Sequence, residues 1–168
     1  LKRGFVHVYT GNGKGKTTAA VGLSVRAVGW GLKVSFIQFL KGRPTGEMKV
    51  LSEIPDVEFV QTGRPDYDFN PNEEDRKRVL EAMRLARERA GSVDLLVLDE
   101  VNVAVHLGLL PLPTLVNFIK EKPEGLELVL TGRWAKPEVI ELADYVTYFE
   151  LVKHPFYRGK PARRGIDY

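Results

Sequence analysis

One stretch near the start of the chain restricts its fold more than any other: Thr10-Gly11-Asn12-Gly13-Lys14-Gly15-Lys16-Thr17-Thr18. The apolar run Phe5-Val6-His7-Val8-Tyr9 precedes it and reads as a strand. Ala19-Ala20-Val21-Gly22-Leu23 follows it and reads as the start of a helix. Strand, glycine-rich turn, Lys, Thr and helix together make a grip for polyphosphate. The glycines let successive backbone N–H groups converge on one centre. The helix start adds orphan N–H groups and the positive end of its dipole. Lys16 brings a full charge, and Thr17 a hydroxyl suited to Mg²⁺. The general spacing of such a loop is G-x-x-x-x-G-K-[ST]. Here Thr10 stands where the first glycine would be, so the run from Gly11 to Thr17 is one residue short, and it carries a second lysine, Lys14. The competing view, a glycine turn without a ligand, leaves the strand ahead and the helix behind without a purpose.

The rest of the chain narrows the chemistry. Its 168 residues suit one domain, 1–168, with a real core. There is no cysteine, which excludes disulfides, thiolate metal sites and Cys nucleophiles and fits a cytoplasmic protein. With only three scattered histidines, a hard ion such as Mg²⁺ is favoured over zinc. No apolar run is long enough to span a membrane, and the start lacks a signal-peptide pattern. A net charge of +3 suits a small anionic ligand at least as well as nucleic acid.

Strand-like and helix-like patterns alternate throughout. Strands are expected at Phe5–Tyr9, Lys33–Phe39, Val57–Gln61, Asp94–Asp99, Glu127–Thr131 and Tyr145–Phe149. Most are continuous apolar runs, as in a parallel sheet covered on both faces. Helices are expected at Lys16–Val28, Met48–Ser52, Asn72–Ala90, Asn102–Leu107, Leu112–Lys120 and Pro137–Leu142. Asn72 is a plausible cap, with Glu73, Glu74 and Asp75 in the first turn behind it. The sum is an α/β fold: a doubly wound, mostly parallel sheet of about six strands flanked by helices. Two stretches break the alternation. Residues 62–71 form a polar loop bearing Tyr67 and Phe69, either a surface loop or a wall of the site. Residues 152–168 form an irregular basic C-terminal tail, either a frayed end or a strap across an anionic ligand.

Leu95-Leu96-Val97-Leu98-Asp99-Glu100 is a buried strand ending in two carboxylates. In a phosphate-loop protein such a strand is expected beside the first one, so that a carboxylate helps Thr17 hold Mg²⁺. Leu128-Val129-Leu130-Thr131-Gly132-Arg133 ends at the same edge and aims Arg133 toward the crevice of Lys16 and Glu100. Lys41, after Gln38-Phe39-Leu40, is a weaker candidate for a phosphate contact. His7 is read as a core or edge residue, and His106 is uncommitted. The residues therefore describe a nucleoside triphosphate site with Mg²⁺ and no obvious protein nucleophile. Chemistry that expels the polyphosphate as a leaving group suits it.

Gly11-Asn12-Gly13-Lys14-Gly15-Lys16-Thr17-Thr18, Gln38-Phe39-Leu40-Lys41-Gly42, Leu98-Asp99-Glu100, Thr131-Gly132-Arg133, Leu142-Ala143-Asp144, Val152-Lys153-His154-Pro155-Phe156 and Gly165-Ile166-Asp167-Tyr168 resemble the phosphate-loop ATP:corrinoid adenosyltransferases of vitamin B12 metabolism. The resemblance implies that cobalt(I) of a reduced corrinoid attacks C5′ of ATP and triphosphate leaves. It implies a RecA-like domain, a homodimer, an electron-donating reductase (flavodoxin-like, for instance) and ATP lying reversed in the loop. By position, Gly11, Asn12, Gly13, Lys14, Gly15, Lys16, Thr17 and Thr18 would hold phosphates. Thr17 and Glu100 would hold Mg²⁺, and Lys16 and Arg133 would act on the reacting nucleotide. Two departures stand out. The family's Gly-Phe-x-Trp pair is replaced by Gly63-Arg64-Pro65-Asp66-Tyr67-Asp68-Phe69, and only four residues precede the first strand, where family members carry a segment that covers the neighbouring subunit. Two other readings compete: a small-molecule kinase or NTPase with Glu100 positioning water or acceptor, and, weakest, a nucleic-acid module using Lys153, Arg158, Lys160, Arg163 and Arg164.

Overall fold

A computed structural model describes residues 1–66 and 70–168. Its six strands are β1 (Val6–Thr10), β2 (Val34–Gln38), β3 (Val57–Gln61), β4 (Leu95–Asp99), β5 (Glu127–Thr131) and β6 (Tyr145–Tyr148). They alternate with α1 (Lys16–Gly29), α2 (Gly46–Leu51), α3 (Glu73–Arg89), α4 (Val101–His106), α5 (Leu112–Glu121) and α6 (Pro137–Glu141). The sheet runs in the order β3-β2-β4-β5-β1-β6, and every pairing in it is parallel.

Because side chains alternate across a sheet, each strand feeds two cores. On one face Ala20 and Ala27 of α1 and Leu51 of α2 pack on Phe36, Val97 and Val129. On the other, Val79, Ala82, Met83 and Ala86 of α3 join Val101, Val103, Ala104 and Val105 of α4, Leu115 and Phe118 of α5 and Val139 of α6 over Ile37, Leu96, Leu98, Leu128 and Leu130. Interior strands buried on both sides must be apolar at consecutive positions, which is why β2, β4 and β5 lack the polar alternation of a half-exposed strand.

Caps explain two boundaries. The first helical residue of α2 is Gly46, ahead of the expected Met48, because the Thr45 hydroxyl accepts from the Met48 N–H and starts the turn. The Asn72 side chain accepts from the Asp75 N–H while the Asp75 carboxylate accepts from the Asn72 N–H, a reciprocal box that fixes the start of α3.

One expectation is overturned. β4 does not lie beside β1; β5 is inserted between them. Lateral order is set by how the crossover helices pack, and the residues of a single strand do not encode it. The insertion has a consequence for the site. Register pairs Tyr9 with Thr131, Leu98 with Leu130 and Gln38 with Asp99, so the last residues of four strands line up along one edge. The tail contains a 3₁₀ turn, Pro155–Arg158, capped by His154 Nδ1 accepting from the Phe156 N–H. Tyr67 and Phe69 lie outside the described residues.

Candidate nucleotide site

Asp99, fully buried at the end of β4, organises the sheet edge. Its Oδ1 accepts from the Thr17 hydroxyl at 2.8 Å and from the Thr131 hydroxyl at 2.7 Å. Its Oδ2 accepts from Lys41 Nζ at 2.8 Å and from Gln38 Nε2 at 3.1 Å. The inserted strand β5 is what supplies Thr131, and the Thr131 oxygen in turn accepts from the Glu100 N–H at 3.0 Å. One carboxylate thus ties the phosphate-loop helix, β2, β4 and β5 together. Since Thr17 donates its hydroxyl proton to Asp99, its oxygen keeps lone pairs for a cation. Sequence reasoning placed Lys41 only weakly, yet its ammonium also lies 3.3 Å from the Thr17 hydroxyl. Burial disfavours its charge, but Asp99 and Glu100 outweigh that and raise its pKa.

Glu100 follows Asp99 with a left-handed backbone, φ 66°. The other described non-glycine residues with positive φ, Leu40 and Trp134, also follow strands at this edge. Such conformations cost of order 1 kcal/mol and persist where the surroundings enforce them. Burial and the Asp99 charge raise the Glu100 pKa, while Lys41, Lys16 and Arg133 pull it back. Those influences place Lys16, Lys41, Arg133, Asp99 and Glu100 in one electrostatic neighbourhood, the edge at which the sequence also put Lys41 as a weaker candidate.

The loop itself is tightly packed. Lys16 Nζ donates to the Gly11 carbonyl at 2.8 Å and the Gly13 carbonyl at 2.7 Å, curling the loop about its own ammonium. Burial lowers the Lys16 pKa, Arg133 and Lys41 add to that, and Glu100 and Asp99 oppose it. The glycines are explained by close approach. A Cβ on Gly11 would lie 2.4 Å from the Phe149 carbonyl oxygen, and one on Gly13 would lie 2.6 Å from that of Glu150. The Gly13 N–H donates to the Phe149 carbonyl at 2.6 Å. The strap after β6 therefore backs the loop, a partnership that no motif in the sequence announced.

Beyond the loop a cleft of about 500 Å³ is lined by Asn12, Arg133, Trp134, Tyr148, Glu150 and Tyr157, among others. His106 stacks on Trp134 at 4.4 Å, and the Arg133 guanidinium lies 5.9 Å from the same ring centre. This gives His106 a place: it props the aromatic wall. His7, as read from sequence, is structural. Its ring hydrogen-bonds Glu127 and stacks on Tyr145. Asn12, Lys14 and Thr18 are exposed along the loop, while Gly11, Gly13 and Lys16 are buried.

The arrangement offers a cationic cradle, a hydroxyl and an acidic pair, which suits polyphosphate. Among the described residues no cluster of three or more His, Cys, Asp or Glu suggests a separate metal centre, and no helix is long and apolar enough to cross a membrane. Comparison with solved structures finds a similar fold in two ATPases. The cytoplasmic domain of the type VII secretion ATPase EccC of Thermomonospora curvata superimposes with a TM-score of 0.56 at 18% identity over 95% of this chain. EssC (ATPases 2 and 3) of Geobacillus thermodenitrificans gives 0.53 at 14% identity over 98%. The chain spans only 22% and 35% of those two proteins, so the likeness bears on the fold alone.

Sequence comparison is more specific. Residues 2–168 match the family described as ATP:corrinoid adenosyltransferase BtuR/CobO/CobP. The corrinoid adenosyltransferase of Escherichia coli K12 is 41% identical over 99% of this chain and 87% of that protein. That of Pseudomonas aeruginosa is 38% identical over 99% and 85%. The corrinoid adenosyltransferase CobA of Salmonella typhimurium is 37% identical over 99% and 87%. With its P-loop α/β fold and a family match from end to end, the chain belongs to the ATP:corrinoid adenosyltransferases.

Proposed function

We propose that this protein transfers the 5′-deoxyadenosyl group of ATP to the cobalt(I) of a reduced corrinoid, in the making or salvage of adenosylcobalamin. The cobalt electron pair forms the Co–C5′ bond, the C5′–O bond breaks, and triphosphate leaves with that bonding pair. The observation that carries the reading is the family match over residues 2–168. The geometry supports it. The described cluster is rich in cations and lacks an activated side-chain nucleophile, as fits a reaction whose nucleophile is the substrate metal and whose main demand is to stabilise a departing polyanion.

In this reading residues 11–18 bind the phosphates, with Lys16 at the centre and Arg133 as a further contact from the end of β5. Mg²⁺ suits the donors present, which are hard oxygens. The Thr17 hydroxyl, oriented by Asp99, and the Glu100 carboxylate would hold it, and the ion would neutralise charge on the phosphate oxygens. Both Asp99 oxygens already accept two hydrogen bonds each, so Asp99 is the orienter in this scheme. A flavodoxin-like electron donor to keep the cobalt reduced, a homodimer and a cytoplasmic setting complete the proposal.

The test is product analysis with ATP, Mg²⁺ and chemically reduced cobalamin. Light-sensitive adenosylcobalamin and triphosphate in equal amounts are expected. ADP and phosphate as the sole products would instead mark a hydrolase or kinase.

A further inference from the structure

The residues at the C-terminal end of the described chain return to the phosphate loop. Lys14 Nζ lies 2.9 Å from Asp167 Oδ1 and donates to the Ile166 carbonyl at 3.2 Å, across 152 positions of sequence. Residues 163–168 form a closed turn that presents these two acceptors side by side. The Asp167 N–H donates to the Arg163 carbonyl at 2.8 Å, the Gly165 N–H to the Tyr168 carbonyl at 2.9 Å, and the Arg163 N–H to Asp167 Oδ2 at 2.9 Å. Arg163 Nε donates to that same Oδ2 at 3.2 Å, leaving Oδ1 to Lys14. Hydrogen bonding to Lys14 and Arg163 holds the Asp167 carboxyl well below the usual carboxylate range. The Tyr168 carbonyl lies close to Gly46, the first residue of α2. The tail therefore reaches from the phosphate loop to the helix that follows the Lys41 segment.

An ammonium has three donors in a fixed tetrahedral spread. With two directed at Asp167 and Ile166, the direction of the third is set. We propose that Asp167 is a positioning residue for the site: it fixes Lys14, the extra lysine of the loop, so that its remaining N–H is available to a phosphate oxygen. This rests on the polyphosphate reading of the loop. The loop has Thr10 in place of its first glycine and an extra lysine inside it, and the tail anchors that lysine as an added donor. An anion-binding lysine held by a carboxylate gives up some net charge in return for a defined direction.

The competing account makes a prediction of opposite sign. If Asp167 only screens Lys14, removing its charge frees the ammonium and strengthens polyphosphate binding. The experiment measures inorganic triphosphate and ATP binding by calorimetry for the wild type, Asp167→Asn, Lys14→Ala and the double variant, with thermal unfolding as a check on the fold. Positioning predicts that Asp167→Asn weakens triphosphate binding about fivefold, that the same change has no further effect in the Lys14→Ala background, and that Asp167→Glu restores part of the loss. Tighter binding in Asp167→Asn, or additive losses in the double variant, would overturn the inference while leaving the adenosyltransferase reading intact. Failure of the wild type to bind triphosphate would overturn both.

Discussion

Asp99 accepts four hydrogen bonds, from helix α1, strands β2 and β5 and the loop after β2, at a position with no exposure. Replacing it with Asn turns one acceptor into a donor that faces donors, leaving buried groups unpaired. Asp99→Asn should cost about 3 kcal/mol of stability, read by denaturant unfolding, and lower turnover far more than Thr131→Val, which removes one of the four donors. Comparable turnover in the two variants would show that Asp99 is not the orienter of Thr17. Lys16 belongs to a different class, since its ammonium bonds only backbone carbonyls of its own loop. Lys16→Ala should leave the unfolding midpoint within a few degrees of wild type yet weaken triphosphate binding about 100-fold, as expected for losing a charge-assisted contact in a buried site. An unaltered triphosphate affinity would remove Lys16 from the cradle. At this scale local motifs in the sequence pointed to Lys16, Thr17, Glu100 and Arg133, and the structure brings these residues to one sheet edge. The sequence was not readable where the role comes from a distant partner. Nothing near Asp167 in sequence points to Lys14, and nothing near Phe149 announces that it backs Gly11 and Gly13.

Elements were legible because their signals are local. The central strands β4 and β5 are near-continuous apolar runs, and Asn72 with three acids behind it marks a helix start. Lateral order was not legible, since β4 and β5 carry similar apolar runs and either could have neighbours on both sides. The start of α3 also does more than begin a helix. Arg64, in the loop after β3, makes a two-pronged pair with Asp75, at 2.8 and 3.1 Å, and so fastens that loop to the capping box. Burial pushes the Asp75 pKa up, but the Arg64 and Asn72 hydrogen bonds outweigh it and lower the pKa overall. A depressed carboxylate stabilises the fold fully above its unfolded pKa and loses that contribution as pH falls through the folded value. Asp75→Asn should therefore cost about 2 kcal/mol near neutrality. The gap to wild type should be constant above about pH 5 and close as the pH drops below about 4. Unfolding curves across that range provide the check, and a gap unchanged at low pH would assign the effect to shape and not to charge.

Across the whole molecule, 25 basic residues face 22 acidic ones, so the net charge of +3 does little to draw a polyanion from a distance. In the proposed reading the attraction is local, built where Lys16, Lys41 and Arg133 meet the strand ends, with Lys14 held nearby by the tail. A site organised that way reads phosphates more strongly than the nucleoside. This distinguishes the adenosyltransferase from an ordinary kinase or hydrolase, whose product is ADP. If triphosphate is the leaving group, the protein must stabilise the full polyanion as its charge grows at the breaking C5′–O bond, so triphosphate should bind nearly as well as ATP. ADP, with one phosphate fewer, should bind at least about tenfold more weakly than triphosphate, and AMP more weakly again. Competition against ATP in calorimetry, at fixed Mg²⁺ and moderate salt, gives the order directly. ADP binding more tightly than triphosphate would mean that the cradle grips the nucleoside end, and the polyphosphate would then be the transferred part and not the departing one.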